Sequence, residues 1–196
     1  MTRLVVLRHA PTAWNRDKRL QGRTDVALDE EGIAVAARWK IDPDWASYRI
    51  LSSPLARARM TAAILFPDAE VGVDSRLTEM DFGAWEGKRL ADLRADPTGD
   101  AAEREDMGLD FRAPEGESPR EVQARLLPLL ARLAELRRPT VLVTHKAVGR
   151  AIYALASAWP MIGKPPTKLR PNCAHVYALA EDGRPAVERL NVSLEG

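Results

Sequence analysis

Arg3-Leu4-Val5-Val6-Leu7-Arg8-His9-Ala10-Pro11-Thr12-Ala13-Trp14-Asn15 stands almost at the start of the chain. Arg3 to Leu7 reads as a short buried strand of β-branched and aliphatic residues. It ends in an arginine beside a histidine, then enters a turn that carries a hydroxyl and an amide. A plain strand end has no need of a cation next to an imidazole. A phosphate site has.

Outward from that stretch, strands and helices alternate. Asp29 caps a helix expected over Glu30 to Lys40, with acidic residues in its first turn. Arg49 to Ser52 reads as a second strand, and Ser53-Pro54 as N-cap and first position of a helix through "PLARARMTAAILF". Val71 to Val73 is a further short strand. Ser118 and Glu121 form a capping box ahead of "VQARLLPLLARLAELRR", in which Pro128 is expected to kink the helix. Thr140 to Thr144 is the clearest strand, followed directly by the helical "KAVGRAIYALASAW". Ala174 to Ala180 and Val187 to Leu190 complete a sheet around a turn at Asp182-Gly183. The pattern implies a three-layer α/β/α sandwich with a mostly parallel central sheet. Residues 1–196 read as one domain, without repeat or linker. Ala95 to Gly116, polar and rich in Asp, Glu, Gly and Pro, reads as a cap over a site or a loop.

Composition bounds the function. A chain of 196 residues with 45% hydrophobic residues can bury a sizeable core. Its 29 basic and 28 acidic side chains leave a net charge of +1, without the basic excess of a nucleic-acid binder. Cys173 is the one cysteine. It reads as a small apolar filler and fits a reducing compartment. No stretch approaches a signal peptide or a membrane span, so a cytoplasmic protein is expected, with no nucleic-acid or membrane partner. Oligomeric state is open, a homodimer included.

In open α/β sheets, ligands bind beyond the carboxyl ends of the strands. Two expected strands end in histidine, at His9 and His145, and a third leads into the helix that carries Arg57. One topological rule therefore gathers His9, His145 and Arg57 at one end of one sheet. His175, inside "NCAHVYAL", reads instead as a satisfied strand histidine. Arg59 rivals Arg57 as a solvated residue of the same helix, but Arg57 lies nearer the helix start. Trp14 and Trp85 read as packing or pocket wall. Asp25 and Gly22-Arg23 shape a loop over the site.

"LRHAPTAWN" resembles the signature of the histidine phosphatase superfamily, the phosphoglycerate mutase-like fold, branch 1. The likeness continues in order through "GRTDVALDEEG" (Gly22 to Gly32), "SSPLARARMTA" (Ser52 to Ala62), "LTEMDFGAWEG" (Leu77 to Gly87), "PEGESP" (Pro114 to Pro119) and "VTHKAVGRAI" (Val143 to Ile152). Ala10 departs from a commoner glycine, and Lys146-Ala147 from small glycine-like residues. Lys146 places an extra cation at the pocket rim.

The resemblance implies a phosphatase with His9 as nucleophile, forming a phosphohistidine that water cleaves. Attack needs a neutral ring, which the cations Arg8 and Arg57 favour while binding phosphate oxygens bidentately. His145 would donate to a phosphoryl oxygen, Asn15 an amide hydrogen bond and Thr12 a hydroxyl. Glu79 is the implied general acid. Its rival Glu86 lies in "WEG", where a structural role beside Trp85 fits. Gln21 and Gly22 are further substrate-binding candidates. No metal or cofactor is implied, and the expected partner is a small phosphorylated substrate.

Three alternatives stand beside this reading. A cofactor-dependent phosphoglycerate mutase shares the catalytic set, but Gly87 to Pro114 offers little room for the longer insertion of mutases. A metal-dependent hydrolase would place Arg8 against its own cation. A non-catalytic phosphate-ligand-binding protein would have no need of the acid Glu79.

Overall fold

The computed structural model describes residues 1–195. The chain opens with β1 (Thr2–Arg8) and a single helical turn, α1 (Ala13–Arg16), followed by α2 (Glu30–Arg38) and β2 (Arg49–Ser52). Next come α3 (Ala56–Leu65), the short β3 (Val71–Val73) and two small helices, α4 (Leu90–Ala95) and α5 (Ala101–Glu105). The long α6 (Pro119–Leu136) leads to β4 (Thr140–Thr144) and α7 (Lys146–Ser157). A hairpin of β5 (Cys173–Leu179) and β6 (Pro185–Ser193) completes the sheet.

The six strands lie in the order β3-β2-β4-β1-β5-β6. β3, β2, β4 and β1 are mutually parallel, and β5 and β6 run antiparallel at one side. The expected sandwich is thus present, with its antiparallel part confined to the late hairpin. Parallel strands are covered on both faces, which explains why RLVVL and TVLVT are apolar throughout rather than alternating. Leu4, Val6 and Leu142 point into a core with Leu126, Leu130 and Leu133 of α6 and Ile152 of α7. Val5, Leu7, Val141 and Val143 point the other way, into a core with Ala36 of α2 and Ala58, Ala62 and Leu65 of α3. Each fully buried aliphatic side chain contributes about 1.5–3 kcal/mol.

Local signals set most element starts. Asp29 accepts from Gly32 N–H, and the Ser118–Glu121 capping box opens α6 with Pro119 in its first turn. α6 runs on past Pro128, which lies on the exposed side, where water can take up the hydrogen bond that proline leaves unmade. Several boundaries differ from expectation: β6 runs from Pro185 to Ser193 rather than from Val187 to Leu190, and α7 stops at Ser157. α2 ends at Arg38 because Trp39 turns into extended backbone. α3 begins at Ala56 rather than Pro54, and Asp25 from a separate loop accepts from the Ala56 N–H.

The segment from Ala95 to Gly116 is ordered. It carries α5 and one 3-10 turn, and it rests on a small apolar cluster of Trp85, Ala101 and Ala113 with Leu90, Leu93 and Phe111 around it.

Candidate active site

The carboxyl ends of β1, β4 and β2 meet at one edge. Arg8 is in register with Thr144, His9 N–H donates to the Thr144 carbonyl at 2.9 Å, and Ser53 N–H donates to Val143 at 3.0 Å. Strand pairing alone therefore sets His9 beside His145, and their ring centroids lie 5.1 Å apart.

His9 Nδ1 lies 2.7 Å from the Ala10 carbonyl. A carbonyl oxygen only accepts, so the ring proton sits on Nδ1 and Nε2 carries the lone pair. Burial, then Arg8 and Arg57, hold the His9 pKa well below the usual imidazole range. His145 is likewise held low by burial, with His9, Arg57 and Arg8 adding to it. Both rings are neutral at pH 7. The His145 Nε2 is hydrogen-bonded to Ser53 Oγ at 2.7 Å, and its buried Nδ1 has no partner among the described residues.

Arg57 is fully buried. It donates to the carbonyls of Thr24 and Gly22 at 2.8 and 2.7 Å. A guanidinium has five N–H donors, so three remain for an anion. Its Nε and that of Arg8 are buried and unpartnered among the described residues. Arg59, by contrast, points to solvent. The Glu79 carboxylate accepts from Ala147 N–H at 3.1 Å and Val148 N–H at 3.3 Å, at the first turn of α7.

A cavity of about 450 Å³ is lined by Arg8, His9, Asn15, Gln21, Gly22, Arg57 and Glu79, so seven of the nine expected residues converge on it. Lys146, Arg150 and the aromatic rings of Phe82, Trp85 and Phe111 extend its wall, and the capping segment adds Glu105 and Gly108. Two expected residues stand off that surface. His145 is fully buried, its ring centroid 5.1 Å from that of His9. Thr12 is buried too, and its hydroxyl accepts from Asn15 N–H at 3.3 Å in the capping box of α1. That bond gives Thr12 a local reason to be where it is, and it orients Asn15.

Gly22 has φ +55, and a Cβ there would meet Glu86 Oε1 at 1.8 Å. Glu86 is the hub of that loop: it accepts from the N–H groups of Arg23 at 2.7 Å and Thr24 at 2.8 Å. Glu86 thus has the structural role expected of it. His175, buried in β5, accepts from Asn191 N–H at 3.2 Å.

Three supporting residues escape a reading of the sequence. Thr61 Oγ1 accepts from Ala10 N–H at 3.0 Å and donates to the Arg57 carbonyl at 2.7 Å, so one hydroxyl joins the loop after His9 to α3. Ser53 holds His145. Arg125 donates to the carbonyls of Thr78 and Glu79 at 2.7 and 3.3 Å. Each acts across a long sequence separation, which no local pattern reveals. Among the described residues, no three His, Cys, Asp or Glu side chains gather as a metal site.

A neutral imidazole lone pair, flanked by two guanidiniums and a carboxyl at the carboxyl edge of a parallel sheet, defines an enzyme built to handle a phosphoryl group. The chain belongs to the histidine phosphatase superfamily, branch 1, whose family model matches residues 4–193. Glucosyl-3-phosphoglycerate phosphatase of Mycobacterium tuberculosis is 39% identical over 185 residues, covering 82% of this chain and 80% of that protein. A probable phosphoglycerate mutase, GpmB, of Salmonella paratyphi C is 32% identical over 166 residues, covering 80% of this chain and 74% of its own length. The solved structure of mycobacterial hydrolase 1 aligns with a TM-score of 0.80 at 32% identity, covering 98% of this chain and 99% of that one. The chain is a phosphatase-type enzyme of that superfamily. None of its helices among the described residues is long and apolar enough to cross a membrane.

Proposed function

We propose that residues 1–196 act as one catalytic domain that hydrolyses a phosphomonoester of a small metabolite, without a metal, through a phosphohistidine on His9. The observation that carries this is the His9 Nδ1 bond to the Ala10 carbonyl, which leaves Nε2 unprotonated on a residue lining the cavity. Nε2 attacks phosphorus in line, the P–O bond to the leaving group breaks, and Glu79 gives that oxygen its proton. The ionised Glu79 then takes a proton from water as the water attacks phosphorus and the P–N bond breaks, which frees His9 and inorganic phosphate. Charge on the equatorial oxygens is met by Arg8 and Arg57, whose donors are already in place. With Ser53 donating to Nε2 of His145, the proton of that ring sits on Nδ1 and is available to a phosphoryl oxygen. Asn15 supplies an amide donor that Thr12 orients, and Gln21 and Gly22 shape the wall beside it. A small phosphorylated molecule is the one partner class proposed. A cytoplasmic location is proposed with it, since a single cysteine allows no internal disulfide.

The test is hydrolysis of a generic aryl phosphate in the presence of chelator, wild type against His9→Ala. Turnover that survives the chelator and drops to background in the variant is expected. No turnover in wild type would overturn the hydrolytic reading, and an assay of phosphoglycerate interconversion would then decide for a mutase. Loss of wild-type activity in chelator would overturn the metal-free mechanism.

A further inference from the structure

The peptide units on either side of His9 are pinned by different parts of the fold. The unit before it belongs to the sheet: His9 N–H donates to the Thr144 carbonyl of β4 at 2.9 Å. The unit after it has left the sheet, and its N–H, on Ala10, donates to Thr61 Oγ1 of α3 at 3.0 Å. With both units held, φ and ψ of His9 are fixed, and so is the direction of its Cα–Cβ bond. The Ala10 carbonyl, 2.7 Å from Nδ1, then fixes the rotation of the ring. Thr61 can hold the Ala10 N–H because its own proton is engaged. It donates to the Arg57 carbonyl, one turn back on the same helix, at 2.7 Å, which turns a lone pair toward Ala10.

Thr61 and Ala10 are both fully buried, so an Ala10 N–H without the hydroxyl must shift to find another acceptor. The loop has no slack toward α2, where a Cβ at Gly32 would come within 2.2 Å of the Pro11 carbonyl. Thr61 and Arg57, four residues apart, share one face of α3. The Arg57 guanidinium is held independently, by the carbonyls of Gly22 and Thr24 at 2.7 and 2.8 Å. Thr61 itself stands off the cavity wall. We propose that Thr61 is a positioning residue for phosphoryl transfer: by fixing Ala10 it sets His9 against Arg57 and keeps the ring in the tautomer whose Nε2 is free to attack. This inference rests on the hydrolytic reading above, in which His9 attacks phosphorus.

The test is Thr61→Val, which keeps the side-chain shape and removes the hydroxyl, beside Thr61→Ser, which keeps the hydroxyl. Three measurements are made on folded protein: nitrogen-15 NMR of the histidine rings at neutral pH, the single-turnover rate of phosphohistidine formation from an aryl phosphate, and calorimetric binding of inorganic phosphate. With three histidines in the chain, the His9 signals are those lost in His9→Ala. Wild type is expected to carry the His9 proton on Nδ1. Thr61→Val should place a substantial share of it on Nε2 and slow phosphohistidine formation by roughly 10-fold or more, as for a misplaced reacting group. Phosphate affinity should stay within about twofold, because Arg8 and Arg57 remain in place, and Thr61→Ser should restore both tautomer and rate. An unchanged tautomer in Thr61→Val, or an unchanged rate, would overturn the role of Thr61 and leave the hydrolytic reading intact. So would a loss of phosphate affinity as large as the loss of rate, which marks general damage to the site, or a Thr61→Ser that behaves like Thr61→Val. Should Thr61→Val not fold, Thr61→Cys, whose sulfur is a weak acceptor, takes its place with the same expected losses. If wild type forms no phosphohistidine, the hydrolytic reading fails on its own, and the tautomers of wild type and variants still decide whether Thr61 sets the ring.

Discussion

His9 and His145 are buried with two guanidiniums beside them, and the physical cost of a second proton there is high. Burial is the larger cause of their low pKa values, and the neighbouring cations add to it. Burial alone brings His175 down to about 4. These are all the histidines of the chain. An unfolded histidine titrates near 6.5, so below that pH the unfolded chain binds protons that the native state refuses. Stability is therefore complete above pH 6.5 and falls as pH drops toward the native pKa values, by about 1.4 kcal/mol per pH unit for each histidine. Urea unfolding at neutral pH and in mild acid should show that loss, and NMR titration should find no histidine with a midpoint at 6.5 or above. One histidine titrating there would remove this account of the site's charge. Both candidate histidines were legible in the sequence because each follows a strand end directly. The Nδ1 bond that sets the tautomer of His9 was not, because it depends on the turn taken by Ala10.

At the scale of elements, the start of α3 shows how a correct motif can be given the wrong local job. Ser-Pro normally reads as an N-cap and first helical residue. Here the helix begins two residues later, its cap position is Leu55, and the N–H of Ala56 is accepted by Asp25 at 2.7 Å, a residue from a separate loop. Ser53 Oγ still accepts from Leu55 N–H at 3.3 Å, and its proton is left for His145. Ser53→Ala should therefore cost about 1–2 kcal/mol as a lost buried hydrogen bond, and it should also lower kcat by roughly 10-fold because His145 loses the partner that fixes its proton. Thermal unfolding and aryl phosphate kinetics on the same preparation check both. A stability loss with unchanged kcat would reduce Ser53 to packing. The six strands and the four longer helices were legible because their apolar runs and caps are local, whereas the short α1, α4 and α5, of six residues or fewer, were not. The true start of α3 was not, because its cap comes from 31 residues away.

At the scale of the whole molecule, the proposed acid is placed by a network that spans most of the chain. The loop bearing Glu79 has little secondary structure of its own beyond a 3-10 turn at Ser75–Leu77. Arg125, on α6, grips it by the carbonyls of Arg76, Thr78 and Glu79. The same guanidinium pairs with Glu117 at 2.8 Å, and Arg23 of the Gly22 loop reaches both Glu117 and Asp81 at 3.6 and 3.5 Å. Three stretches remote in sequence, around residue 23, 76–81 and 117–125, thus hold the loop that carries this carboxyl. General acid help matters most when the leaving oxygen is a poor one, so the network has a signature that stability alone lacks. In the step that forms the phosphohistidine, followed in single turnovers, Glu79→Gln should cost on the order of 10²-fold or more with an alkyl phosphate and far less with nitrophenyl phosphate, whose phenolate departs without a proton. The later attack of water, which uses Glu79 as base, slows for both. Arg125→Ala should follow the same pattern at roughly a tenth of the size while costing about 2 kcal/mol in unfolding, because three carbonyls lose their donor and the partly buried Glu117 keeps, among the described residues, only Arg23 as a cation partner, at 3.6 Å. Arg125→Lys should not restore the alkyl rate, since an ammonium cannot fork across three carbonyls and a carboxylate. If Arg125→Ala slowed both esters equally, the network would be holding the fold and not the acid.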